Sequence, residues 1–219
     1  MRLNTVIFDM DGLLIDSEPC WQEAGMETLL QFNVTLTPVQ YHHTTGLRTR
    51  EWLDYWFGHF AIGKERIAAA KAALHQHVIE KIRAKADPLP GVHEIIAFFK
   101  AQNFRIGLAT SSPLSLVNVV VEKLGIQDEF QAVASAEHLP YGKPHPQVYM
   151  DCAEALEVSP LQCLAFEDSF NGVIAAKAAR MTCVAIPVHD QAHLPKWGAA
   201  DLKLASLLEF TETHLKKLQ

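Results

Sequence analysis

No apolar run in this chain approaches the roughly 18 residues that a membrane-spanning helix needs, and the opening stretch MRLNTVIFDMDG lacks the long apolar segment of an export signal. A membrane partner is therefore not expected, and a cytoplasmic location is. Basic residues are also short: 19 Lys and Arg stand against 25 Asp and Glu, a formal net charge of -6, and no segment is dense in Lys or Arg. Without a basic stripe there is little for nucleic acid to bind, so a small molecule is the expected partner. Cysteine is sparse. Cys20, Cys152, Cys163 and Cys183 have no C-x-x-C spacing, and three fall in apolar runs, so they read as reduced packing residues. Internal repeats and low-complexity tracts are missing, which leaves no sign of a solenoid.

What is present is an ordinary globular composition, 49% hydrophobic and 20% charged over 219 residues. That length holds one core, or a core with a smaller insert. Residues 5–9, TVIFD, form a β-branched and aromatic run that ends in an acid before Gly12, the pattern of a buried strand entering a loop. From Ser17 to about Ala84 the apolar spacing turns helical, in SEPCWQEAGMETLLQF, TREWLDYWFGHF and KERIAAAKAALHQHVIEKIRA. Trp52, Tyr55, Trp56 and Phe57 are expected on the buried side of the second of these. Beyond DPLPG, whose prolines break a helix, strands and helices alternate to a last strand DLKLA and a final helix SLLEFTETHLKKL.

Such alternation demands a parallel sheet covered by helices on both faces. The expected fold is thus α/β, a doubly wound parallel-sheet core of residues 1–16 and 87–219, which the family resemblance given below makes Rossmann-like, with an α-helical cap of residues 17–86 inserted after the first strand. A monomer is expected.

In open parallel sheets, ligands bind beyond the carboxyl ends of the strands. The polar residues predicted there are Asp9 and Asp11, Thr110-Ser111-Ser112, Gly142-Lys143-Pro144 and Glu167-Asp168-Ser169. Phosphoryl transfer needs positioning and electrostatic stabilisation by a metal, a cation and hydrogen-bond donors, and each has a candidate. Asp9 and Asp168 are hard oxygen ligands suited to Mg²⁺, with Asp11 adding a backbone carbonyl. Asp9 is the candidate nucleophile and Asp11 the acid/base. Lys143 would neutralise charge, while Thr110 and the Ser111 amide would donate to a phosphoryl group. Taken singly, each has a plainer reading. Asp168 and Ser169 could merely cap a helix, Thr110-Ser111-Ser112 could be a capping turn, and Lys143 could be a solvated lysine. His75 and His77, two apart on a helix, read as boundary residues and not as a zinc site.

FDMDG, ATSS, GKPHP and FEDSFNG, in this order, resemble the four signatures of the haloacid dehalogenase superfamily, and the helical insertion resembles its cap-bearing sugar-phosphate branch. Within that branch, FDMDGLLIDSEPCW, SAEHLPYGKPHPQVY and EDSFNGVIAAKAARM are similar to the 2-deoxyglucose-6-phosphate and hexitol phosphatases. The resemblance implies Mg²⁺, an aspartyl-phosphate on Asp9, acid/base work by Asp11, Thr110 as the second-signature hydroxyl, Lys143 as the cation and Asp168 as a metal ligand, with Glu167 supporting the metal site. It also implies substrate contacts from the cap, for which Ser17 and the Arg48 of Gly46-Leu47-Arg48 are the candidates. β-Phosphoglucomutases of the branch carry a histidine four residues beyond the linker threonine. Here the matching places hold Ser17 and Trp21, which favours hydrolysis over mutase chemistry. Mutase-like phosphotransfer, phosphoglycolate hydrolysis, a receiver-like signalling module and a silent binding protein are the alternatives. Receivers pair their adjacent acids after strand one, whereas here Asp-x-Asp comes first and the adjacent acids come late.

Overall fold

A computed structural model of the chain describes residues 2–44 and 47–219; Gly46, one of the cap-loop residues singled out above, lies outside them. Six parallel strands form one sheet: β1 (Thr5–Phe8), β2 (Arg105–Thr110), β3 (Ala132–Ser135), β4 (Cys163–Glu167), β5 (Thr182–Ala185) and β6 (Leu202–Lys203). Their spatial order is β3-β2-β1-β4-β5-β6. The chain winds outward from β1 through β2 to β3, then returns to place β4 on the other side of β1. The carboxyl end of β1 is therefore the switch point where such sheets open a crevice.

Burial on both faces explains why the central strands read as continuous apolar runs. Along β1, Val6 and Phe8 face one core and Ile7 faces the other, as the two-residue period of a strand dictates. The first face is bulky: Phe8, Phe99, Phe166 and Phe210 pack ring against ring, with centroids 5.1–6.1 Å apart. The second is lined by Ala109, Ala165, Cys183 and Ala185, small residues that let helices approach closely. A Cβ on Gly107 would stand 2.7 Å from Cys152 Sγ, so the sheet and the helix bearing Cys152 meet there only because glycine has none. All four cysteines are buried thiols, and burial pushes Cys152 and Cys163 up to about 12.

Between β1 and β2 the described residues form five α-helices. α1 (Glu18–Leu30), α2 (Pro38–His42), α3 (Thr49–His59) and α4 (Ile67–Lys85) form the helical insertion, and α5 (Val92–Ala101) returns the chain to the sheet. The strands of chain entering and leaving the insertion pair with each other. Asp16 donates its amide to the Asp87 carbonyl, Leu89 donates to Leu14, and Ile15 bridges Pro88. On α3, Trp52, Leu53, Trp56 and Phe57 are buried, but Tyr55 is exposed, contrary to its expected place in the aromatic stripe. At 3.6 residues per turn the buried four define an arc, and Tyr55 projects beyond its edge. Among the described residues, no helix is long and apolar enough to cross a membrane.

The remaining helices are α6 (Leu114–Leu124), α7 (Gln147–Ala155), α8 (Phe170–Ala178) and α9 (Glu212–Leu218). The final helix expected from Ser206 onward is split. Ser206 Oγ caps a short 3₁₀ turn at Leu207–Glu209, Phe210 plugs the aromatic core, and Thr211 with His214 forms a second start signal for α9.

Candidate active site

Three strand ends converge at the switch point. Asp9 directly follows β1, Thr110 ends β2, and Glu167 ends β4 with Asp168 next. Over them sits the helical insertion, and the pocket between is lined from below by Asp9, Asp11, Thr110, Ser111, Ser112, Lys143 and Asp168. Its roof comes from Glu18, Trp21, Tyr41, Leu47, Arg48, Thr49, Trp52 and Leu74. The floor is polar and the roof mostly aromatic and aliphatic.

Lys143 is the hub of the floor. Its Nζ donates to Asp9 Oδ1 at 2.6 Å, to Glu167 Oε1 at 2.6 Å and to the Ala109 carbonyl at 3.0 Å. Burial would pull this ammonium's pKa down, but the attraction of Asp9 and Glu167 and their hydrogen bonds outweigh it and hold the lysine charged. Glu167 is fully buried and has both oxygens engaged. Oε1 accepts from Lys143 and from Tyr149 Oη, and Oε2 accepts from the Ser169 amide and hydroxyl. Ser169 Oγ in turn accepts from the Gly172 amide and caps α8, so the plain capping reading and a place at the site coexist in one residue.

One ammonium does not balance the carboxylates around it. Asp9, Glu167 and Asp168 each bring an oxygen into a group lying within 4.8 Å. Burial, aided by Glu167 and Asp11 and opposed by Lys143, raises Asp9 from 3.8 to about 7. Burial, then Asp9 and Glu167, raises Asp168 well above the usual carboxylate range. Hard, partly buried carboxylate oxygens with surplus negative charge suit a hard divalent cation. Since the lone pairs of Glu167 are largely taken by protein donors, Asp9 and Asp168 are the groups free to hold one. Gly12 keeps this corner open: its φ is +74°, and a Cβ there would collide with the Asp168 carboxylate.

A raised Asp9 has a definite signature. Its folded-state pKa exceeds its unfolded one, so its contribution to stability is present below 3.8 and lost as pH rises to about 7. In EDTA, the wild-type thermal midpoint is expected to fall relative to that of Asp9→Asn across this window. Parallel curves for the two proteins would contradict it.

Asp11 is held differently. Its Oδ1 accepts from Ser17 Oγ at 2.7 Å and Trp21 Nε1 at 2.9 Å, and its Oδ2 accepts from Ser112 Oγ at 2.6 Å. Thr110 Oγ1 accepts from the Ser112 amide, which leaves the hydroxyl proton available to a ligand. The Thr110-Ser111-Ser112 turn does not cap α6, whose N-cap is Pro113 without a side-chain bond.

Of the two substrate contacts expected from the cap, Arg48 lines the pocket and Ser17 does not. Ser17 is fully buried behind the pocket lining, its hydroxyl spent on Asp11. Arg48 borders the pocket, yet its guanidinium reaches the carbonyls of Ala136, Leu139 and Pro140 and the carboxylate of Glu51. Its donors are thereby occupied, and it ties the insertion to the loop carrying Lys143. Gly142 accommodates it, since a Cβ there would stand 2.5 Å from Arg48 Cδ. The bonds of Ser112 and Trp21 to Asp11 and of Tyr149 to Glu167 are not among the sequence expectations. Trp21 lies four residues after Ser17, one helical turn on and so on the same side of the chain, and Tyr149 is a hydroxyl on an otherwise apolar helix face. Those are the signals that could have found them.

Comparison with known proteins follows the same lines. The family model for haloacid dehalogenase-like hydrolases matches residues 3–180. Hexitol phosphatase B of Escherichia coli K12 is 42% identical over 98% of this chain and 97% of its own length. The β-phosphoglucomutase of Bacillus subtilis is 29% identical over 84% of this chain and 84% of the relative. Among solved structures, CbbY of Rhodobacter sphaeroides in complex with phosphate superposes with a TM-score of 0.88 at 24% identity, covering 98% of this chain and all of that one, which shows the shared fold.

Proposed function

The chain belongs to the haloacid dehalogenase-like hydrolase family, and on that premise we propose that it is a Mg²⁺-dependent phosphatase of small sugar or polyol phosphate monoesters. The observation that carries this reading is Asp9 itself, a carboxylate 2.6 Å from a charged lysine, grouped with the Asp168 carboxylate and sharing its pocket with a separately held Asp11. In the proposed reaction an Asp9 oxygen attacks phosphorus, the bond from phosphorus to the leaving oxygen breaks, and Asp11 gives that oxygen its proton. Water then attacks the phosphorus of the aspartyl-phosphate, Asp11 takes the water's proton, and phosphate leaves with Asp9 restored. Lys143, the Thr110 hydroxyl and the Ser111 amide hold the phosphoryl oxygens as charge shifts among them. Asp9, Asp168 and the Asp11 carbonyl would hold Mg²⁺, which would supply the charge neutralisation between an anionic nucleophile and an anionic ester.

Residues 17–86 act in this reading as a cap that excludes water and selects the leaving group. A roof of Trp21, Tyr41, Leu47, Trp52 and Leu74 suits the C–H faces of a hexose or hexitol, while Glu18 and Thr49 offer polar contacts to its hydroxyls. The likeness to hexitol phosphatase B favours hexitol phosphates over phosphoglycolate, and the motif resemblance keeps 2-deoxyglucose-6-phosphate beside them. Hydrolysis is favoured over phosphotransfer because Trp21 carries a non-titrating donor where the mutases bear histidine. Phosphate release from hexitol phosphates, 2-deoxyglucose-6-phosphate, glucose-1-phosphate and phosphoglycolate, with Mg²⁺ and with EDTA, tests this. The expectation is metal-dependent release, fastest from a hexitol or deoxyhexose ester; fastest release from phosphoglycolate, or turnover in EDTA, would overturn the respective part.

A further inference from the structure

The three donors on Asp11 are not equivalent. Ser17 lies on the entering linker and Ser112 on the loop after β2, and both are buried. Trp21 alone comes from a helix of the insertion, and its ring is held from that side. It meets His75 of α4 edge-on at 6.4 Å, and His75 Nε2 is 3.0 Å from Thr49 Oγ1 of α3. The acid/base carboxylate is thus fixed in part by the layer that closes the pocket.

The donors also differ chemically. A hydroxyl can donate or accept by rotating, whereas an indole N–H only donates. Each carboxylate oxygen has about two lone-pair sites. Oδ1 accepts from Ser17 and Trp21, which fills it, and the Trp21 bond cannot be reversed. Oδ2 accepts one bond, from the Ser112 hydroxyl, and retains a site.

We infer that Trp21 is the positioning residue of the proton-transfer step: by occupying Oδ1 together with Ser17, it makes Oδ2 of Asp11 the oxygen that delivers and recovers the catalytic proton. This rests on Asp11 being the acid/base of the phosphatase reading. No proton passes through Trp21. The proton on Oδ2 goes to the leaving oxygen in the first displacement and is replaced by one from water in the second.

The test uses the leaving group as a probe. A sugar or polyol alkoxide must be protonated as it departs, whereas 4-nitrophenolate leaves without a proton, and kcat/KM reports the step in which it departs. For Trp21→Phe, which keeps a ring and deletes the N–H, kcat/KM on the preferred sugar or polyol phosphate is expected to fall about 10- to 100-fold, the worth of a hydrogen bond to a charged group. The loss on 4-nitrophenyl phosphate is expected to be much smaller. Trp21→His, whose Nε2 can occupy the place of the indole N–H, is expected to recover part of the ratio between the two substrates. Equal losses on both substrates, a loss on the sugar ester confined to KM as a wall touching the sugar would give, or a ratio that Trp21→His leaves at the Phe value, would overturn the inference. Wild type inactive on every ester would instead sink the phosphatase reading, so the two failures are distinguishable. Thermal midpoints of both variants separate folding from chemistry.

Discussion

Asp9→Asn is expected to reduce metal-dependent phosphate release by about 10³- to 10⁶-fold, the range seen when a nucleophile of an acting unit is deleted. The substitution is nearly isosteric and removes a carboxylate that burial already disfavours, with Glu167 and Asp11 adding to the effect. The folded state should therefore survive. In EDTA near neutral pH the variant should be at least as stable as the wild type, because the buried like-charge cluster has lost one member. Activity lost together with a collapsed thermal midpoint would mean that Asp9 serves the fold. Activity retained would remove Asp9 from the chemistry. The informative outcome is loss of turnover with stability kept, and steady-state assays beside thermal unfolding report both.

Lys143→Met should do the reverse damage. Its ammonium is 2.6 Å from both Asp9 and Glu167 and is almost wholly buried, so deleting it strands two carboxylates away from water. Exposed ion pairs such as Lys85 with Glu23 contribute at most about 1 kcal/mol. Removing one partner of a buried pair costs about 3–5 kcal/mol, because the remaining charge is uncompensated. Glu167 suffers most, being fully buried and keeping only Tyr149 and Ser169 as donors. Denaturant unfolding in EDTA should show that loss, and kcat should fall by a further factor of about 10² to 10³ in the protein that remains folded, as for deletion of one preorganised charge-stabilising donor. Asp9 is protonated below about 7, so the comparison belongs above that pH, where a variant as stable as wild type would mean that the lysine is not the electrostatic hub.

Much of this organisation was legible in the chain because few physical rules fix it. Buried parallel strands must be short apolar runs, and TVIF and CLAFE are such runs, each followed by acids that have no place in a core. The helical spacing from Ser17 onward, bounded by the DPLPG break, separated the insertion from the sheet. Asp9, Asp11, Thr110, Lys143 and Asp168 meet in one pocket because the topology brings the carboxyl ends of β1, β2 and β4 together.

What stayed illegible depends on direction and not on type. Arg48 is an unremarkable arginine in sequence, and its acceptors are backbone carbonyls 88 to 92 residues away, which leave no trace in side-chain chemistry. Ser17 offers a hydroxyl near the site, but only the fold shows that it turns inward onto Asp11. Tyr55 belongs to an aromatic cluster by composition and leaves it by a fraction of a helical turn. The end of the chain was read as one helix because its apolar spacing runs on through Phe210, while Thr211 quietly restarts it.

The central claim, that turnover passes through a phosphoryl group on Asp9, is tested most directly by acid-quenching the enzyme during turnover of its best substrate with Mg²⁺ and mapping proteolytic fragments by mass spectrometry. The expected result is the added mass of one phosphoryl group on the fragment containing Asp9, removed by hydroxylamine and missing from Asp9→Asn. A phosphoryl group found on any other residue, or none on Asp9 under conditions where the chemical step is shown to be faster than dephosphorylation, would contradict it.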